Sequence, residues 1–241
     1  MGDRRFVPWV NAKPGSLQKL GVLLFISERT GLENLEIIKR YTRNDTFKSL
    51  PGYKTLSSHY HHEHSMDFIN KQREQGTDGI PEGLQDPDFV NFFKRMGVDM
   101  VHMAEFHFGR TPELGTMERL SELKIMHDEF ARLSDENFLL IPGEEPNVHL
   151  GSHWLSLFPE PVYWVLNQNE GQPFEQHLPE YGKVYHVGSA EDVLSLLEQE
   201  NGLAWTAHPR VKGSTGFPDN YNDSEFFKSN HFHIIFSLNR F

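Results

Sequence analysis

Four stretches of strand character in this sequence each end in side chains that can bind divalent metals. YKTLSS (53–58) leads into His59 and His61, and VDMVHMA (98–104) into Glu105 and His107. NFLLIP (137–142) leads to Glu145, and LAWTA (203–207) to His208. Helical signals separate the runs. DFVNFFKRM (88–96) follows Asp86–Pro87, an N-cap and a first-turn proline, and stops at Gly97. From 116 to 133, Met117, Leu120, Leu123, Met126, Phe130 and Leu133 recur at spacings of three and four, which predicts a helix with a buried stripe. Ser189 with Asp192 opens another helix through Gln199, ended by Gly202. This β-α-β-α alternation predicts an α/β fold, with a parallel sheet or barrel and helices outside. In such barrels the loops past the C-terminal strand ends converge on one mouth, so residues distant in sequence meet there.

HWLSLF, PVYWVL and GKVYHV (182–187) read as further strands, and the polar stretch 69–86 as a loop. LGVLLFI (20–26) has the look of a buried strand and ENLEIIKRY (33–41) of a short amphipathic helix. The rhythm becomes regular only after Tyr53. Residues 1–50 are therefore read as an N-terminal extension or the remnant of a preceding region, and 51–241 as the main domain.

No cysteine occurs in the 241 residues, so any metal is held by nitrogen and oxygen ligands, and disulfides and thiolate chemistry are excluded. The net charge of −11 offers no basic face for nucleic-acid phosphates. The longest apolar run falls well short of the ~20 residues that span a bilayer, so no membrane partner is expected. It also lacks a cleavage pattern, which leaves a soluble protein, cytoplasmic or exported after removal of a leader.

The segment 59–64, HYHHEH, packs four histidines and a glutamate into six positions. On an extended segment, alternate residues share a face, so His59 with His61 and His62 with His64 fit a shared ion equally well. His102, inside a strand, and His127, beside the helical stripe, read as structural, as do His177 and His186. Trp154, Trp164 and Trp205 read as core.

Taken in order, the H-x-H after a strand, GVDMVHMAEFH, IPGEEPNVHLGSHW and LAWTAHPR resemble the PHP (polymerase and histidinol phosphatase) metallohydrolases, most of all the CehA/McbA-like branch. The resemblance covers about 53–217. It implies a distorted (β/α)7 barrel, incomplete at its C-terminus here, with two or three divalent ions (zinc, manganese or iron) at the mouth. It assigns His59 and His61 to the opening motif, His64 to an extra ligand or supporting role, and His107 to the next histidine. It makes Glu145 the bridging carboxylate, places His153 ahead of His149, and takes His208 from the AHP motif. The family's aspartate position is occupied by Phe106, and Glu105, one residue earlier, is either its substitute or only a neighbour. The closing Asp-x-His is missing after His208.

The implied activity is hydrolysis of a small anionic ester. Metal lowers the pKa of a water towards about 7, Glu105 or His107 assists proton transfer, and Arg210 clamps a phosphate or carboxylate. A phosphoester is the default substrate. Carboxylic or carbamate esters and amides are the alternative chemistry, and a metal-binding scaffold without turnover is the alternative class. A serine hydrolase is disfavoured, because no G-x-S-x-G occurs.

Overall fold

A computed structural model describes residues 17–19, 39–41, 51–105, 116–210 and 219–233. The chain divides between Ser49 and Leu50 into two units. In the first, β1 (Leu17–Lys19) pairs antiparallel with β2 (Lys39–Tyr41). The sequence predicts helix through 41, whereas Lys39–Tyr41 is strand. LGVLLFI lies outside the described residues.

The second unit opens with β3 (Leu56–Tyr60), α1 (His64–Gln75), α2 (Asp88–Met96), β4 (Met100–Glu105), α3 (Thr116–Leu133) and β5 (Leu139–Glu144). The three strands form a parallel sheet in the order β3-β4-β5. Each crossover carries helix, as parallel neighbours require. The helices end where their glycines fall: Gly76 and Gly97 adopt left-handed φ of 62° and 72° and close the last turns of α1 and α2. The first half of the stretch expected as a loop is α1, which buries His64, Ser65 and Phe68 beneath a polar outer face.

After β5 the pattern changes. Residues 145–153 are too few for a parallel crossover, which takes a dozen or more. β6 (Trp154–Leu157) does not extend that sheet and pairs antiparallel with β10 (Leu203–Thr206) in another. β7 (Tyr163–Val165) and β8 (Glu175–Leu178) flank β9 (Gly182–His186) in a separate mixed sheet. α4 (Ala190–Gln199) starts at Ser189, whose hydroxyl accepts the Asp192 N–H at 3.1 Å. α5 (Glu225–Lys228) and β11 (Phe232–His233), parallel to β10, complete the described chain.

The fold is thus mixed α/β with a parallel three-stranded sheet. Among the described residues no sheet closes into a barrel. No described helix is long and apolar enough to cross a membrane.

The main core lies between the sheet and its helices, joining Val101, Met103 and Leu140 to Leu120, Leu123, Met126 and Phe130. Met117, expected in that stripe, is 53% exposed. A smaller cluster of Ala104, Leu155, Trp205 and Ala207 fills the opposite face of β4. β4 is therefore covered on both sides, as its unbroken apolar character requires.

Candidate metal centre

Strand direction explains why the candidate ligands meet. β3 and β5 are parallel, so their C-terminal ends carry His59, His61 and Glu145 to one edge. His153 immediately precedes β6, and β6 is antiparallel to β10, so the end of β10 and His208 arrive at the same place. The Ala207 N–H donates to the His153 carbonyl at 3.0 Å and fastens these two segments together.

Glu145 is the hub. On its Oε2 side stand His59 Nε2 at 3.1 Å and His61 Nε2 at 2.9 Å. On its Oε1 side stand His153 Nδ1 at 3.1 Å and His208 Nε2 at 2.9 Å. The carboxylate is buried, while the imidazoles remain partly open to solvent. Two three-residue groups result, His59–His61–Glu145 and Glu145–His153–His208, each with ligand atoms within 4.8 Å of one another. A carboxylate shared between two histidine pairs offers nitrogen and oxygen donors to divalent metal on both of its sides.

The protonation pattern fits a cation. His61 Nδ1–H donates to the Ala104 carbonyl at 2.5 Å, and Nε2 faces a carboxylate oxygen: on the protonated ring it donates to Glu145, and on the neutral ring it turns a lone pair towards it. Two facing acceptors are reconciled by a positive charge between them, and a backbone bond on the far nitrogen is the usual support of a metal-ligating imidazole. Burial alone would raise the Glu145 pKa. Hydrogen bonds from His59 and His61 outweigh it and hold the carboxyl well below its ordinary range.

The H-x-H geometry does not come from strand alternation. Ser57 pairs with Val101 but Tyr60 with Met103, so β3 carries one extra residue, a bulge. His59 sits in it with φ 63°, and His208 has φ 32°. Both are left-handed non-glycine residues, a strained conformation concentrated at functional sites. At Gly143, an added Cβ would meet His102 Nε2 at 2.0 Å and the Ser156 carbonyl at 2.6 Å, so only glycine lets β5 carry Glu145 past this crossing.

Other sequence candidates lie elsewhere. His64 is fully buried against Glu129 at 2.9 Å, away from the cluster. The Glu105 carboxylate, instead of joining Glu145, accepts from the backbone N–H of Ser65 at 3.4 Å and from its hydroxyl. Burial raises its pKa, against the bonds from Ser65. Arg210 makes an exposed bidentate pair with Asp219, at 3.0 and 2.9 Å. His149 turns away towards Val187 and Asp192. His107 lies outside the described residues.

Sequence reasoning missed the buried charges behind the sheet. Arg119 pairs with Glu122 and Glu144, and Arg132 with Glu129. The i, i+3 spacing of Arg119–Glu122 and Glu129–Arg132 reads as ordinary surface pairing in sequence, so no local signal marks them as buried.

No family model matches the sequence, and no curated protein matches it. The structure is similar to the crystal structure of a two-domain protein from Bacteroides vulgatus ATCC 8482 containing a predicted PHP-like metal-dependent phosphoesterase. The TM-score is 0.35 and the identity 14%, over 71% of this chain and 38% of that one. Such a superposition carries no weight by itself. The fold and site define a mixed α/β protein with a histidine–glutamate cluster able to hold divalent metal.

Proposed function

We propose that this protein is a metal-dependent hydrolase of the PHP type, cleaving a phosphate ester with two divalent ions held around Glu145. The observation that carries the reading is the single buried carboxylate flanked by His59 and His61 on one oxygen and by His153 and His208 on the other. His59 and His61 would hold one ion and His153 and His208 the second, with Glu145 serving both. When bound, such ions supply Lewis acidity towards a scissile ester oxygen and lower the pKa of an attacking water.

The chain's own residues orient this chemistry. The Ala104 carbonyl fixes the tautomer of His61. The partly exposed imidazoles keep the ligand edge open on one side while Glu145 remains buried. His107 is assigned as a further ligand or a proton donor. Arg210 is assigned to the substrate's anionic group, exchanging Asp219 for it. A complete distorted barrel and membership of the CehA/McbA-like branch belong to the same proposal.

The test is metal analysis of purified protein combined with turnover of p-nitrophenyl phosphate, bis-p-nitrophenyl phosphate and p-nitrophenyl acetate. Bound zinc, manganese or iron with phosphoester turnover, both lost in Glu145→Gln, is the expected result. Turnover of the acetate alone reassigns the site to carboxylic esters. Two bound ions with no turnover of any substrate define a metal-binding scaffold.

A further inference from the structure

The segment that delivers His59 and His61 is bent in two places and leads into a helix with no local cap. His59 and Glu63 have left-handed φ of 63° and 53°, and Glu63, at the N-cap of α1, makes no side-chain capping bond. Two non-glycine residues in this region are strained and persist only where the surroundings over-determine them. Here the surroundings are two buried carboxylates from distant elements.

Glu105, the last residue of β4, accepts the Ser65 backbone N–H at 3.4 Å and the Ser65 hydroxyl, placing an acceptor at the uncapped start of α1. Glu129, on α3, accepts His64 Nε2–H at 2.9 Å. Arg132 grips the same carboxylate bidentately, at 2.7 and 2.6 Å, and extends to the Leu84 and Gln85 carbonyls. His64, Ser65, Glu105 and Glu129 are all at most 4% exposed. Phe68, Phe89 and Phe130 enclose the His64 ring, which leaves it no alternative partner in water.

We infer that Glu105 and Glu129 are positioning residues for one half of the metal centre, holding the strained His59–Glu63 segment through Ser65 and His64. The inference rests on the dinuclear reading of the site. It gives Glu105 and His64 a role that neither coordination nor proton transfer describes. It also sets an asymmetry: His153 and His208 are fastened separately, through the Ala207–His153 bond, and do not depend on α1.

The test is titration of metal-free protein with Zn2+, followed by calorimetry, alongside melting temperatures. Wild type is expected to take up two equivalents. His64→Leu and the milder Ser65→Ala are each expected to weaken one equivalent by about 10–100-fold, the usual cost of losing a group that supports a ligand, and to leave the other unchanged. His64→Gln, which retains a donor for Glu129, restores the weakened equivalent. Leu196→Ala, a core truncation in α4, lowers the melting temperature without selective metal loss. If both equivalents survive His64→Leu and Ser65→Ala, or both fall together in step with melting temperature, the positioning role is overturned. If wild type takes up no zinc, manganese or iron, the reading of the site fails, and the inference with it.

Discussion

His208 Nε2 stands 2.9 Å from Oε1 of Glu145, although 63 residues of chain separate them. The other oxygen of the same carboxylate faces His61 at 2.9 Å. Because one side chain serves both histidine pairs, its loss disables both at once. Glu145→Gln keeps the shape and removes the charge. It is expected to lose both metal equivalents, with affinity falling by more than the roughly 10–100-fold typical of supporting groups. Elemental analysis after dialysis, with circular dichroism to show retained fold, measures this.

Gly143 precedes that hub by two residues, and a methyl there would enter the space of His102 and the Ser156 carbonyl. One obstacle is backbone, so the strand itself has to shift. Gly143→Ala is expected to destabilise by about 1–3 kcal/mol, the usual range for overpacking, and to weaken metal binding by displacing Glu145. Urea unfolding paired with metal titration separates the two effects. A variant as stable as wild type would contradict the crowding.

The gathering of candidate ligands was legible in sequence because most of them follow strand-like runs, and strand direction gathers such ends. His59, His61, Glu145 and His208 come together on that logic, while His153, which precedes β6, is named only through the family resemblance. Strand alternation leaves His59–His61 and His62–His64 equally open, and it is a bulge rather than the period of two that brings His59 beside His61 at Glu145. Antiparallel β6 was illegible, because an apolar run carries no direction. Glu105 and His64 have metal-competent side chains, but their positions are decided by contacts with Ser65 and Glu129 that no short-range pattern encodes. The polar outer face of α1 likewise disguised a helix as a loop.

Arg119 is buried between two carboxylates, Glu122 and Glu144. Breaking such a group leaves uncompensated charge inside the protein, which costs about 3–5 kcal/mol. Arg119→Ala is expected to lose that amount in denaturant unfolding, whereas Arg210→Ala, breaking only the exposed pair with Asp219, is expected to leave stability close to wild type. Equal losses in the two variants would contradict the contrast drawn between a buried and a solvated ion pair.

His102 is fully buried beside Trp205, with Nε2–H donating to the Ser156 carbonyl at 2.7 Å. Burial, against the help of that bond, pushes its pKa down from 6.5 to about 4. Between these values the unfolded chain binds a proton that the folded protein refuses. The contribution of His102 to stability is therefore complete above pH 6.5 and falls away as the pH drops towards about 4. The full loss amounts to roughly 3 kcal/mol at about 1.4 kcal/mol per pH unit. His102→Gln keeps a donor for Ser156 but does not titrate. Although less stable at neutral pH, it is expected to lose less stability than wild type between pH 7 and pH 4.5 in urea unfolding of the metal-free protein. Parallel pH profiles for the two proteins would show that His102 is not the group refusing the proton.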